Sequence, residues 1–381
     1  MITSDFPHIR SLVNRASGAL LLYLLFIIGL AVILSVIWSM VFVISALSSG
    51  QDMATILAES EKLAFDPLLI AMTVFLSPFM AVLAALVGRS LTHVKFKPLF
   101  KPNPLNASIF AVVALAILGI SFASSYLIHL IDSLLSLISL KVTPPEFLAH
   151  MPTDPLAGIL VAAGICIGAP LAEEILFRGV ILHALKPYGN SFAVIVSALF
   201  FGLIHGNLVQ MPGAFLIGIA LGIVTLHTRS LWPAIIIHAI NNTTSVLLHY
   251  LFSSMEESLI NILDISINVS VILLALVVTI INWRKIKIFL NAMRHRPDQS
   301  LEQGQSVIGN INMNMVVAES LNSGVSDYLQ QQTKASSFSK QNTSNSAPYW
   351  SRRWYCFWTS WSTLIALILY SILLIASIKP I

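Results

Sequence analysis

Apolar runs of membrane-spanning length dominate the chain. Seven of them, near 19–47, 67–88, 107–131, 157–185, 231–252, 266–283 and 361–378, match or approach the roughly 20 residues that cross about 30 Å of hydrocarbon. Two shorter runs, 191–204 and 209–227, lie between the fourth and fifth. Together they give eight spans plus a separate ninth. Only 10% of the residues are charged, against about 25% in a soluble domain, so a water-soluble globule is excluded and a bilayer must cover the apolar surface. The expected fold is an all-α, polytopic transmembrane helix bundle. The first run follows His8, Arg10 and Arg15, as in a signal peptide. Its 29 residues exceed the usual apolar region of about 7–15, so it is expected to remain as a signal anchor.

The basic residues fix an orientation. With the N-terminus in the cytoplasm, the inside segments hold Arg10, Arg15, Arg89, Lys95, Lys97, Lys101, Lys186, Arg229, Arg284, Lys285, Lys287, Arg294 and Arg296, and the outside ones only Lys62 and Lys141. Thirteen against two predicts an inner-membrane protein with a cytoplasmic N-terminus, because positive charge collects on the cytoplasmic side. The net charge of +4 records these loops, and no nucleic acid partner is expected. Two cysteines, Cys166 and Cys356, support neither a disulfide framework nor a Cys-rich metal site.

After Arg296 the composition changes: 23 of the 54 residues from Pro297 to Trp350 are Ser, Asn or Gln, which reads as a disordered cytoplasmic tail. It ends in YWSRRWYCFWTSW, where Trp350, Trp354, Trp358 and Trp361 join Arg352 and Arg353 as an interfacial anchor for the ninth helix. That helix is expected to be an appendage without part in the activity. No internal repeat suggests the inverted halves of a transporter.

Three charged residues lie inside a span, Glu173, Glu174 and Arg178, all in the fourth, in G168-A-P-L-A-E-E-I-L-F-R-G179. Each costs about 2.5–3.5 kcal/mol at a helix centre on insertion scales, so such charges are usually paired and functional. Glu174 and Arg178 stand four apart, on one helical face. Glu173, about 100° around the helix, has no partner on its own helix. His205 in the fifth span, and His238 with Asn242 on one face of the seventh, are the polar groups able to meet it. By residue count Glu173, His205, Asn242 and His238 lie roughly 20, 21, 16 and 10 Å from the cytoplasmic ends of their helices, depths that allow one shared cavity. His129, His183, His227 and His249 sit near span ends, where the interface can solvate them. Asn241, about 100° around the helix from Asn242, is ambiguous and can serve helix packing.

A carboxylate and an imidazole on neighbouring helices can hold a water and take its proton, and a second imidazole with an amide can stabilise the oxyanion that water attack on a carbonyl creates. No G-x-S-x-G elbow or H-E-x-x-H pair is present. Two histidines and a glutamate can alternatively hold zinc. The metal-free arrangement is the expectation, because the groups lack zinc-motif spacing and Arg178 adds positive charge nearby.

Glu173-Glu174-x-x-x-Arg178, Phe201-x-x-x-His205 and His238-x-x-x-Asn242, in this order, resemble the three motifs of the CPBP family, the CAAX proteases and bacteriocin-processing enzymes also called the Abi family. The resemblance covers about 155–252. It implies a glutamate-type intramembrane endopeptidase whose catalytic residues are Glu173 and His205, which activate water, and His238 and Asn242, which form the oxyanion hole. Glu174 and Arg178 support them, with no cofactor. It also implies a membrane-anchored or lipidated protein or peptide as substrate, prenylated CAAX proteins in eukaryotic relatives and bacteriocin maturation or self-immunity in bacterial ones. The domains then read as three N-terminal spans in 1–150, a catalytic core in 151–295, the polar tail in 296–350 and the aromatic anchor with its helix in 351–381. A non-enzymatic immunity or scaffold protein on the same fold is the alternative, and a proton-coupled transporter a further one.

Overall fold

A computed structural model describes residues 5–60, 63, 66–103, 105–144, 152, 154–291 and 349–380. The helices are α1 (Asp5–Ser48), α2 (Met53–Ser60), α3 (Pro67–Thr92), α4 (Ala107–Ser136), α5 (Pro155–Tyr188), α6 (Asn190–Leu203), α7 (Met211–Thr228), α8 (Trp232–Phe252), α9 (Glu257–Ile281), α10 (Trp283–Leu290), α11 (Tyr349–Trp358) and α12 (Trp361–Ala376). Two three-residue strands, β1 (Leu140–Val142) and β2 (Ile378–Pro380), pair antiparallel with Lys141 opposite Lys379. The protein is an all-α, multi-pass integral membrane protein.

Two helix starts follow from Asp-Pro pairs. The carboxylates of Asp66 and Asp154 accept backbone N–H groups of the first turns of α3 and α5, and the following proline fills the first helical position, where its missing N–H costs nothing. Six helices among the described residues (α1, α3, α4, α5, α7 and α9) are long and apolar enough to cross a bilayer. Helices α6 and α12 are apolar but shorter, and α8 has the length while carrying His238, Asn241 and Asn242. These nine helices coincide with the nine apolar runs. Helix α1 begins well before the run at 19: its 44 residues extend about 66 Å, because Arg10 and Arg15 stop a hydrophobic run without stopping a helix. Its first half buries Ile9, Val13, Ala16, Ala19, Leu20 and Tyr23, while Leu25, Ile28, Val32 and Ile33 are more than half exposed, the pattern of a helix half packed and half facing lipid.

The helix ends sort into two groups. At one, Arg10, Arg15, Leu91 and Trp361 line one recess and Lys101, Lys186 and Arg229 another, and Lys285 donates to Ser108 Oγ at 2.9 Å. At the other lie β1 with β2, and Tyr250, whose hydroxyl donates to Pro152 O at 3.2 Å. Most of the described basic residues thus gather at the first end, while Lys141 and Lys379 lie at the second.

The tail expected over 296–350 lies outside the described residues as far as 348, and Tyr349 and Trp350 already belong to α11. The ninth helix corrects the expectation of an appendage. Ala366 and Tyr370 of α12, with Cys356 and Phe357 of α11, are buried in the same core cluster as α1, α3, α5 and α6. Small polar residues bring α12 close to α1: Ser17 and Thr363 share a hydrogen bond of 2.8 Å, and Ser362 Oγ donates within 3.0 Å of Asn14. In lipid, where apolar surface gives no net drive between helices, such contacts set the association.

Candidate active site

The site is built on α5, which departs twice from α-helical winding. At Gly164–Gly168 the Ala169 N–H donates to Gly164 O, five residues back, and a second wide stretch runs over Glu174–Leu182. Wide turns of this kind occur often at functional positions. Gly164 is required by close approach: a Cβ there would sit 2.8 Å from Val74 O of α3. The next carbonyl, Ile165 O, accepts Asn242 Nδ2 at 3.0 Å, which pins α8 to the widened turn.

The second wide stretch presents the charges. Arg178 Nη1 donates to Glu174 Oε1 at 2.7 Å with both side chains fully buried, and Arg178 Nη2 donates to Gly218 O of α7 at 3.0 Å. The guanidinium lies 4.5 Å from the Phe201 ring centroid. His238 arrives from α8 between the two glutamates, Nδ1 at 3.1 Å from Glu174 Oε1 and Nε2 at 3.8 Å from Glu173 Oε2. Glu174 is therefore more than the partner of Arg178: it also orients His238. Glu173, unpartnered on its own helix, has His238 as its neighbour.

His205 sits just past the end of α6. Its Nδ1 donates to Phe201 O at 3.0 Å, since a carbonyl can only accept. Its Nε2 therefore keeps a lone pair in the neutral ring. The same logic applies to His238, whose Nδ1 faces the Glu174 oxygen that also accepts from Arg178 Nη1. Phe201 holds both rings, with its centroid 5.4 Å from His205 and 5.5 Å from His238, each edge to face.

Glu173, His205, His238 and Asn242 all line one cavity of about 620 Å³ bounded by α3, α4, α5, α7 and α8. Glu174 and Arg178 stand behind it. Among the described residues no direct hydrogen bond joins Glu173 to His205, and no three His, Cys, Asp or Glu side chains group as a metal-binding set. The cavity also holds Ser77, Ser121, Ser124, Ser125 and Gln210, which stand in no sequence motif, and His249, expected at a solvated span end. The three α4 serines follow i, i+3, i+4 spacing, a polar stripe in a run otherwise read as apolar, and that spacing was the available signal. His249 faces the cavity from near the end of α8. His183 Nδ1 donates to Arg178 O at 2.5 Å, His227 leans on Phe289 with centroids 4.4 Å apart, and His129 is exposed.

Fold and site together define a polytopic membrane protein with an ionic cluster sunk in its bundle beside a polar cavity. The family model described as type II CAAX prenyl endopeptidase Rce1-like matches residues 155–244, a segment that contains Glu173, Glu174, Arg178, His205, His238 and Asn242. The Bacillus subtilis (strain 168) protein named "Putative membrane peptidase YdiL" is 31% identical over 83 residues, 22% of this chain and 34% of that protein. The chain thus spans about a third of the length of the curated relative it matches. No solved structure matches it.

Proposed function

We propose that the protein is an intramembrane endopeptidase that hydrolyses a peptide bond of a membrane-associated or lipidated protein or peptide, with Glu173, His205, His238 and Asn242 as its catalytic residues. The observation that carries this reading is the His238 ring seated between Glu173 and Glu174 at the wall of a cavity that His205 and Asn242 also line. A water in that cavity gives its proton to Glu173, aided by the lone pair on His205 Nε2, and its oxygen attacks the substrate carbonyl. Glu173 passes that proton on to His238 Nε2 and is a carboxylate again, and the oxyanion receives hydrogen bonds from the Nε2–H so formed and from Asn242 Nδ2, whose second N–H is not used by Ile165 O. The carboxylate of Glu173, 3.8 Å from Nε2, balances the imidazolium so formed. Collapse of the tetrahedral intermediate returns the proton to the leaving amine.

The family description, type II CAAX prenyl endopeptidase, makes a prenylated C-terminal peptide the first substrate to try. The test is turnover of such a peptide, and of its unlipidated counterpart, by the purified protein in nanodiscs beside Glu173→Ala. Cleavage lost in the variant supports the reading, and cleavage at the parental rate overturns it. Activity that survives chelation supports water activation by Glu173 and His205 alone, whereas loss restored only by zinc replaces it with a metal mechanism. The clustering of basic ends on one face supports a cytoplasmic N-terminus. Protease added from the cytoplasmic side is expected to cut the 297–348 tail in intact vesicles, and cutting only from the opposite side reverses the orientation.

A further inference from the structure

We infer that the C-terminal helix α12 and strand β2 are a clamp on the His205 loop, with Ser377 as its positioning residue. The inference rests on the endopeptidase reading for its consequence in catalysis, but the clamp is a matter of geometry. Residues 204–210 form the turn that carries His205 between α6 and α7. Most of its polar groups are satisfied within the turn: His205 N donates to Gly202 O, Gly206 N to Leu203 O and Gln210 N to Asn207 Oδ1, while Asn207 Nδ2 donates to His205 O. Leu208 N–H reaches outside the turn, to Ser377 Oγ at 3.1 Å, 169 residues away.

Ser377 is suited to that bond. Its hydroxyl donates to Leu374 O at 2.6 Å, which turns an oxygen lone pair toward Leu208, and its carbonyl accepts both the N–H and the hydroxyl of Thr143 at 2.8 and 2.9 Å. Thr143 follows β1, which pairs with β2, and Val142 N–H in turn donates to Asp132 Oδ1 of α4 at 2.7 Å. Ser377 is thus a knot joining α12, the His205 loop and α4, which supplies Ser121, Ser124 and Ser125 to the cavity wall. One turn earlier Leu373 backs onto Gly206, whose φ of +62° only glycine adopts freely; a Cβ there would meet Leu373 Cδ1 at 3.4 Å. Ser362, Thr363, Ala366, Tyr370 and Ser377 are all buried, so this side of the helix is turned into the bundle. Nothing in 155–244, the segment matched to the endopeptidase family, supplies these groups.

The experiment pairs two readouts on the full chain in nanodiscs: hydrogen exchange of 204–210, which needs no substrate, and kcat and KM on a prenylated peptide. For Ser377→Ala the expected result is exchange at Leu208 raised about tenfold, and kcat lowered about tenfold with KM unchanged, as for the loss of one buried hydrogen bond. Ser377→Thr, which keeps the hydroxyl, is expected to restore both. Thr363→Ala, which loosens the same helix against α1 far from the loop, is expected to leave both at parental values. Unchanged exchange in Ser377→Ala overturns the clamp, as does equal loosening in Thr363→Ala. Raised exchange with parental kcat overturns the positioning of His205. If the parent cleaves no peptide while exchange rises as expected, the endopeptidase reading fails and the clamp stands.

Discussion

The two walls of the cavity hold their histidines by different means. On the α5–α8 wall, His238 is fixed by side chains: Glu174 binds it, Arg178 binds Glu174, and both charges are fully buried. On the α6–α7 wall, His205 is fixed by a backbone carbonyl of its own helix and by a turn tied down at Leu208 by the far end of the chain. The first wall is electrostatic and stiff, since a buried ionic network has few alternative arrangements. The second is a loop, whose precision depends on what is packed around it. The comparison teaches that substitutions should act on the first wall through charge and stability, and on the second through positioning.

The largest effect is expected at Glu173, the carboxylate of the first wall that lines the cavity. Glu173→Ala should lower kcat by about 10²–10⁴, the contribution of a general base, with unfolding temperature unchanged, measured by peptide turnover and thermal scanning of the same sample. Asn242→Ala follows, with kcat down by about 10²–10³ for a lost oxyanion donor and KM near parental in steady-state kinetics. Because Asn242 also bonds Ile165 O, a loss confined to stability with turnover per folded molecule intact would remove it from the oxyanion hole.

Arg178→Ala tests the structural half of the first wall. Removing one partner of a buried pair costs about 3–5 kcal/mol, so the folded fraction in a denaturant series should fall sharply. A variant as stable as the parent would show that Glu174 is held by His238 alone. The smallest effect is expected on the second wall: Asn207→Ala removes the side-chain bonds to His205 O and Gln210 and should slow turnover about tenfold, equivalent to about 1.4 kcal/mol, with the global unfolding temperature nearly unchanged. An effect as large as that of Arg178→Ala on stability would erase the contrast between the walls.

Much of this was legible in one dimension. Hydropathy marked the nine helices because the length needed to cross a bilayer is a property of a contiguous stretch. The Glu174–Arg178 pair followed from i, i+4 spacing, and the scarcity of charge inside spans isolated Glu173. Reading His205, His238 and Asn242 as neighbours of Glu173 required only approximate depths, and the cavity brings all four together. The link from Glu174 to His238 was not legible, since rotation of α8 about its axis decides which carboxylate a ring meets. Nor were the serine wall and the role of Phe201, because a serine in an apolar run looks the same whether it faces lipid, a helix or a cavity.

The sequence by itself determined the bilayer as the solvent, the nine apolar helices and the residues of the charged cluster, because each depends on composition over a few turns of one helix. Only the tertiary structure decided that α12 is part of the core and that Ser377 meets Leu208 across 169 residues. A contact between distant segments is set by how helices pack and rotate, and neither hydropathy nor local spacing carries that information.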